Sequence, residues 1–479
     1  MECQEDKLMN MQLTSVFCNI PLKALSYISV LAILAKTKVR KELKIMLGII
    51  TLIVALSAQI ALLVYQMITK NHQQKVKNIM RLTTFGLFTL LLSVNVYWWG
   101  FRWTGLFILL LVLALISIIS LIRKKQTVRE FKPAKAILIC INICILLTFS
   151  ILPGIIFPQF NPIEVTGEYD VQTASVTLTD EDRTESYSEE SEKRKITIQF
   201  WYPNLKDNDE KLPLIIFSHG SFGYRGSNLS TFLELASNGY VVCSIDHSYH
   251  AFFAKHMDKT MTIVDVNFLN DAVSVTNNEY EAEYTYNLLH EWLDLRKADM
   301  SFVLNEITNN ESGKIPDNIY SIIDNERIGL TGHSLGGATA ASLGRELDIV
   351  DAVIVIDGTM IGEGIDFKEN KEVLDLNAYP VPLLNLYNED HYTDAMSQGT
   401  KYNNISASTN AVEAYDVVIR KSGHLNFTDL PMFSPALASL LGTGEVDNRY
   451  CIETMNQLVL DFFNYTLKQQ GELNIKTEY

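Results

Sequence analysis

Four long apolar runs without a charged side chain lie in the first third of this 479-residue chain and constrain its fold more than any other feature. Each is close to the roughly 20 residues that an α-helix needs to cross the hydrocarbon core of a bilayer. The runs are Met46–Met67, Leu82–Trp99, Thr104–Ile122 and Ala136–Phe157. Four such runs so close together are typical of membrane spans rather than of buried helices in a soluble core. We therefore predict a membrane domain with four transmembrane helices over residues 46–157.

The net charge of the chain changes sign at the end of the last apolar run. Residues 1–157 hold 18 Lys and Arg against 5 Asp and Glu, a net charge of +13, whereas the remaining residues hold 22 against 50, a net charge of −28. The acidic part is long enough to bury one large core. Its negative surface repels phosphate, which argues against nucleic acid as a partner. We therefore predict a second folded domain over residues 158–479.

The basic residues of the short loops predict how the membrane domain is oriented. Lys and Arg concentrate in cytoplasmic loops. The loop at 70–81 carries four of them and the loop at 123–135 carries six, whereas the connection between the second and third runs carries only Arg102. Both basic loops are therefore expected in the cytoplasm. The chain then leaves the membrane on the outer side after Phe157, which predicts an integral plasma-membrane protein with an extracytoplasmic acidic domain.

Residues 1–45 fit this arrangement badly and are treated as a separate N-terminal extension. Their apolar stretch, Leu22–Ala35, is short for a span, and a basic cluster follows it that would lie outside if the stretch crossed the membrane. One hypothesis is that translation begins at Met46, so that 1–45 is an upstream extension. The alternative is a cytoplasmic re-entrant piece. No cleavable signal peptide is apparent.

The acidic domain alternates short apolar runs with helical patterns. It begins with a polar lead-in over 161–195, whose acidic centre is expected to be a solvated loop. Lys195–Tyr202 then alternates like a half-buried strand. The runs without a polar face are Leu214–Ser218, Val241–Ile245, Val350–Ile356, Pro382–Leu386 and Asp416–Ile419. Such runs separated by helices predict a mostly parallel sheet covered on both faces, with function at the carboxyl ends of its strands.

One motif with a known geometric role follows an apolar strand pattern at 327–330. The segment Gly332-His-Ser-Leu-Gly336 matches G-x-S-x-G, and a helix rich in small residues follows it. In this motif the serine lies on a strained turn between strand and helix, and flanking side chains larger than hydrogen would collide with one or the other. The strand–turn–helix context predicts that Ser334 is a nucleophile.

A serine nucleophile needs a base and an orienting acid, which in this class follow it in the order acid then histidine. Only His391 and His424 follow Ser334, and we prefer His424 because it comes just after the strand at 416–419. His391, in a polar turn, is expected to be a surface histidine. For the acid we prefer Asp357, which closes the strand Val350–Ile356, over Asp390.

Two backbone N–H groups are expected to stabilise the oxyanion of the reaction. One is that of Leu335, the residue after the nucleophile. The other should come from the loop after the first parallel strand, Phe217–Gly223, in which Ser221 is the candidate donor.

No pattern in the chain predicts a metal, a cofactor or a disulfide. His247, His250 and His256 have few acidic neighbours in the sequence and are expected to be polar loop residues. The six cysteines show no framework. The segment 248–279, which contains these histidines and several large apolar residues, is expected to be an active-site lid or lip, or a packed excursion.

Five segments in order resemble the platelet-activating factor acetylhydrolase family of α/β-hydrolases. They are Phe217-Ser-His-Gly-Ser-Phe-Gly-Tyr-Arg225, Leu235-Ala-Ser-Asn-Gly-Tyr-Val-Val242, Gly332-His-Ser-Leu-Gly-Gly-Ala-Thr339, Ile356-Asp-Gly358 and Gly423-His-Leu-Asn-Phe-Thr-Asp429. The resemblance covers about residues 195–465 and implies an α/β-hydrolase fold and a Ser/Asp/His triad without a metal. It also implies hydrolysis of short acyl esters, such as the acetyl group of an oxidised or ether phospholipid.

The chain departs from this family in three places. Ser221 stands where the family commonly has an apolar residue, and Gly358-Thr-Met360 lacks the aromatic residue usual after the acid. Apolar helices at the N-terminus are foreign to the secreted members. The acyl-chain preference of the family is therefore not carried over to this chain.

The sequence therefore predicts a membrane-anchored serine hydrolase that cleaves an ester, with a phospholipid as the candidate substrate. Acyl transfer through the same acyl-enzyme is one alternative, and an inactive, membrane-tethered binding module is another. Transport by the helices is disfavoured because their apolar runs contain no Asp, Glu, Lys or Arg.

Overall fold

The computed structural model describes residues 39–123, 131–188, 191–205 and 211–479, with side chains from residue 46 onwards. The chain divides into two compact units between Asn161 and Pro162. Most of the N-terminal extension, including Leu22–Ala35, lies outside the described residues. So do residues 124–130, which contain most of the second basic loop.

The first unit is helical. Its helices are α1 (Val39–Thr69), α2 (Gln74–Ser93), α3 (Phe101–Ile122) and α4 (Pro133–Ile156). Among the described residues, three segments are long and apolar enough to cross a membrane: Met46–Thr69, Phe101–Ile122 and Pro133–Ile156. Helix α2 covers the first part of the second apolar run, but it begins with basic side chains and ends at Ser93. A span at this position stays a prediction.

The four helices pack around a buried tryptophan. The ring of Trp103 lies so close to Gly154 that a Cβ added there would come within 2.7 Å of it. The indole Nε1 of Trp103 donates to Gln159 Oε1 at 2.8 Å, and the backbone N–H of Trp98 donates to the same oxygen at 2.7 Å. The glycine permits close helix contact, and the glutamine satisfies two donors at once.

The second unit alternates strands and helices. Its strands are β1 (Val171–Thr184), β2 (Lys193–Pro203), β3 (Leu212–Ser218), β4 (Val241–Asp246), β5 (Phe253–Lys255), β6 (Met261–Ile263), β7 (Ile323–His333), β8 (Ala352–Ile356), β9 (Gly364–Lys368), β10 (Lys371–Leu374), β11 (Leu383–Tyr387) and β12 (Ala414–Val418). Its helices are α5 (Leu229–Ser237), α6 (Val266–Thr276), α7 (Ala282–Asn309), α8 (Asp317–Tyr320), α9 (Leu335–Glu346), α10 (Glu389–Gln398), α11 (Asn403–Asn410), α12 (Leu430–Phe433), α13 (Pro435–Leu441) and α14 (Asn448–Lys468).

Eight strands form one sheet in the order β1-β2-β4-β3-β7-β8-β11-β12. All neighbours from β4 to β12 are parallel, and only the pairs β1/β2 and β2/β4 are antiparallel. Helices α7 and α9 cover one apolar face and helices α5 and α14 cover the other. This mostly parallel, doubly covered sheet confirms the prediction of an α/β-hydrolase fold after apolar N-terminal helices.

The sheet begins earlier in the chain than the sequence suggested. No strand was predicted in the polar lead-in over 161–195, whose acidic centre was expected to be a solvated loop, but residues Val171–Thr184 form strand β1, paired with β2. The physical reason is that the apolar residues Val176 and Leu178 alternate with polar ones, and their side chains are buried against the core. The acidic residues at the end of this strand hid the pattern.

Two segments outside the regular sheet matter for the site. Residues 248–279 form the hairpin β5-β6 and helix α6, and Phe268 of α6 is buried against Trp292 of α7. At the opposite edge, Thr477 and Tyr479 pair with Val418 of β12 through backbone hydrogen bonds of 2.9 and 3.0 Å.

Candidate active site

Ser334 lies on a strained turn between β7 and α9. Its backbone has φ 56° and ψ −125°, in a region that side chains rarely adopt. A Cβ at Gly336 would lie 2.0 Å from the carbonyl oxygen of Ser218, and one at Gly332 would lie 2.3 Å from Gly336. Both glycines are therefore required by close backbone contact, as the motif predicts.

The carboxylate of Asp357, at the end of β8, is fully buried and accepts four hydrogen bonds. The side chain and the backbone N–H of Asn388 donate at 2.6 and 2.8 Å. The Nδ1 of His424 donates at 2.6 Å and the Nδ1 of His391 at 2.9 Å. Burial alone raises the pKa of Asp357, but the hydrogen bonds from His391 and His424 outweigh it and hold the pKa well below its usual range. The group is therefore a carboxylate at neutral pH.

His424 follows β12 at the start of a short 3₁₀ turn, His424–Phe427, and its side chain is 43% exposed. Its ring lies 4.5 Å from that of His333, the residue before the nucleophile. The Nε2 of His333 donates to the His424 carbonyl at 3.0 Å. Burial, followed by the nearby His424, lowers the pKa of His333 to about 3, so that His333 stays neutral.

Ser334 is joined to the same region through its backbone. Its N–H donates to the Ile356 carbonyl at 2.9 Å, directly before Asp357. The structure therefore brings Ser334, Asp357 and His424 together from the ends of β7, β8 and β12. The runner-up acid, Asp390, is exposed on α10.

The expectation that His391 is a surface histidine is wrong. Its side chain is 14% exposed and binds Asp357, while its Nε2 lies 2.6 Å from the Tyr402 hydroxyl. That hydroxyl lies 2.7 Å from Thr359 Oγ1. The Tyr402 hydroxyl therefore links His391 to Thr359. The sequence carried one usable signal, since His391 also follows the end of a parallel strand, β11.

The loop after β3 lies against the nucleophile. A Cβ at Gly220 would come within 3.1 Å of the Ser334 Cβ. In this loop the amides of Phe222 and Gly223 donate to the carbonyls of His250 and Gly220. Within the described chain, the amides of Ser221 and Leu335 have no protein acceptor. Two predicted oxyanion donors are thus free and border the turn at Ser334.

The three histidines that were expected to be polar loop residues are buried instead. His247 Nδ1 bonds Asp299 at 3.0 Å and its Nε2 lies 2.9 Å from Ser218 Oγ. Burial, followed by the charge of Arg296, lowers the pKa of His247 to about 3. His250 stacks on Phe268, with 3.8 Å between ring centroids, and His256 bonds Thr197 at 2.8 Å. Their partners lie far away in the sequence, which hid the network.

None of these histidines belongs to a metal-binding group among the described residues, where no cluster of three or more His, Cys, Asp or Glu has that arrangement. The absence of a metal or cofactor from the chemistry stays a prediction. The site as described holds a strained serine, a histidine and a charged aspartate, with two free amides. These are the parts that nucleophilic acyl chemistry uses.

Comparison with known proteins adds the family. The family described as platelet-activating factor acetylhydrolase, isoform II, matches residues 195–477. Platelet-activating factor acetylhydrolases of Bos taurus and Gallus gallus are both 25% identical, over 287 and 290 residues. The alignments cover 57% and 56% of this chain and 61% and 64% of the relatives, so the chain spans less than two thirds of their length. A solved ferulic acid esterase from Streptomyces cinnamoneus has a TM-score of 0.49 at 19% identity, covering 64% of this chain and 93% of that one.

The geometry of the turn at Ser334 predicts a steep cost for Gly336→Ala. The added methyl group would overlap the Ser218 carbonyl, so β3 and α9 must separate, and we expect a loss of about 3 kcal/mol or more in unfolding free energy. The measurement is the thermal midpoint of the full chain in detergent. Gly86→Ala is the control, because a Cβ there meets nothing within 4 Å. Equal midpoints for the two variants would contradict the described contact.

Proposed function

The chain belongs to the platelet-activating factor acetylhydrolase, isoform II, family, and on this premise we propose that it is a membrane-anchored serine hydrolase of carboxylic esters. The observation that carries the proposal is the 2.6 Å bond between Asp357 and His424 beside the strained turn of Ser334. The buried, charged carboxylate of Asp357 binds Nδ1 of the exposed His424 ring. Nε2 of the same ring is then ready to take a proton.

In the proposed mechanism, Ser334 Oγ attacks the ester carbonyl while His424 Nε2 takes its proton. Asp357 fixes the tautomer of His424 and stabilises the imidazolium that forms. The N–H groups of Leu335 and Ser221 bind the oxyanion of the tetrahedral intermediate. Its collapse returns the proton from His424 to the leaving alcohol and leaves an acyl group on Ser334. Water then repeats the sequence and releases the acid, with no cofactor in any step.

We propose a short-chain acyl ester of a phospholipid as the substrate. The family supports the class, since its name refers to an acetylhydrolase of a phospholipid. The described structure supports the short acyl chain, because apolar side chains already fill the space beside the oxyanion loop. Phe268 and Trp292 are buried there, next to Leu335 and Phe222. Ser221 adds a polar side chain to the oxyanion loop.

The three long apolar helices support a membrane anchor. The basic residues of the loop at 70–81 support a cytoplasmic location for the helix ends that this loop joins. We propose that the catalytic unit faces the outside at the plasma membrane. The enzyme would then act on lipid or ester at the outer surface without leaving the membrane.

Replacing Ser334 by alanine tests the proposed reaction. We expect Ser334→Ala to lower the turnover of p-nitrophenyl acetate by at least about 1,000-fold, because the attacking oxygen is lost. Labelling by a fluorophosphonate probe should disappear as well. Turnover unchanged by the substitution would reject the proposal, and a wild-type chain that takes no probe would support an inactive binding module. Product analysis with added alcohols separates hydrolysis from acyl transfer.

His391 is expected to position Asp357. His391→Phe removes the donor to one carboxylate oxygen and lets the group rotate, and we expect kcat to fall about tenfold with little change in KM. His391→Asn is the matched control, because its amide nitrogen replaces Nδ1 and should restore most of kcat. Wild-type kcat in the phenylalanine variant would show that His391 is dispensable.

The proposed orientation is tested by labelling introduced cysteines, one in each variant, with a maleimide that does not cross membranes. In a background with Cys3 and Cys18 replaced by serine, we expect Glu472→Cys to react in intact cells and Asn71→Cys to react only after lysis. Both side chains are exposed, so accessibility within the fold does not limit the reaction. The reverse pattern would place the catalytic unit in the cytoplasm.

A further inference from the structure

We propose that Arg296 of α7 is a positioning residue that holds the oxyanion loop in its binding conformation. The inference rests on the proposed function and concerns a side chain that touches neither substrate nor nucleophile. Its guanidinium is fully buried behind the loop that follows β3. Nη1 donates to the His219 carbonyl at 2.5 Å, Nη2 approaches the Gly220 carbonyl at 3.5 Å, and Nε donates to His250 Nδ1 at 3.2 Å.

The planarity of the peptide bond converts these contacts into control of the oxyanion donor. In a trans peptide the carbonyl and the following N–H point in opposite directions. Holding the carbonyl of Gly220 therefore directs the N–H of Ser221 away from Arg296. Gly220 itself lies against Ser334, so this amide is left at the edge of the turn that carries the nucleophile.

The carbonyl of Gly220 has three donors around it. It accepts from His219 Nδ1 at 2.6 Å and from the Gly223 amide at 3.1 Å, in addition to its approach by Arg296. Three donors on one carbonyl polarise the peptide group, which makes the N–H of Ser221 a better donor. The cation thus affects both the direction and the strength of this hydrogen bond.

The charge of Arg296 is unusual in its surroundings. The neighbouring Arg194 pairs with Asp299 and Glu185 at 2.7 and 2.8 Å, whereas no carboxylate within the described chain lies at ion-pair distance from Arg296. Burial lowers the pKa of Arg296 to about 9, partly offset by Asp299, so the group stays charged at neutral pH. A buried cation bound mainly to carbonyls is costly in free energy because no opposite charge repays its desolvation. A role in holding the oxyanion loop explains why a charged side chain is buried at this position.

The test compares an ester with its thiono analogue in the full chain. Sulfur accepts hydrogen bonds weakly, so a working oxyanion hole favours p-nitrophenyl acetate over p-nitrophenyl thionoacetate, and damage to the hole lowers the ratio of their kcat/KM values. We expect Arg296→Met to lower this ratio at least tenfold through loss of the ester reaction. Arg296→Lys, which can still reach one carbonyl, should fall between it and the wild type.

Arg194→Met is the matched control, because it also removes a buried guanidinium from the adjoining network but none of the contacts to His219 and Gly220. Its ratio should equal that of the wild type even where its stability is lower. If Arg296→Met does not fold, Arg296→Lys decides the matter by its ratio. A wild-type ratio in the folded Arg296 variants would overturn the inference and leave the proposed function intact. Absence of Ser334-dependent turnover in the wild-type chain would reject both.

Discussion

A buried negative charge on Asp357 is the interaction on which the catalytic unit depends. An unpaired carboxylate in a dry interior costs several kcal/mol, so each of its acceptor sites must be filled. The donors come from the segments after β11 and β12, which are far apart along the chain. Only a parallel sheet brings these strand ends to one edge. The hydrogen bonds to Asp357 therefore require that β8, β11 and β12 are paired in the sheet.

The main elements of this arrangement could be predicted from the sequence because they are locally encoded. Buried parallel strands have apolar runs without a polar face, and the observed strands begin and end within a few residues of those runs. The turn at Ser334 needs glycines at fixed positions, and both are present. Asp357 directly follows β8 and His424 lies in the loop after β12, so the rule that function gathers at strand ends led to both predictions.

Other parts of the site could not be predicted because their partners lie far away in the sequence. Nothing near His247 in the sequence shows that Asp299, on a helix 52 residues later, will accept a hydrogen bond from its Nδ1. Likewise, the choice between two histidines was treated as exclusive, whereas a carboxylate has two oxygens and binds both. Strand β1 was missed because its last residues are charged. In the sheet, one of these residues, Asp180, lies opposite the oppositely charged Arg194 of β2. Local sequence patterns predict which segments are buried. Hydrogen bonds and ion pairs between residues that are distant in the sequence decide which polar side chains are buried with them.

Thr477 and Tyr479 pair with Val418 at the carboxyl end of β12, the edge strand of the sheet. An open edge strand offers unpaired N–H and carbonyl groups to any other extended chain and is a common starting point for aggregation. Here β12, the strand before His424, is such an edge strand, and Thr477 and Tyr479 occupy the backbone N–H and carbonyl of its last residue, Val418. The segment that follows α14 therefore covers this end of the edge strand against edge-to-edge association between copies of the chain.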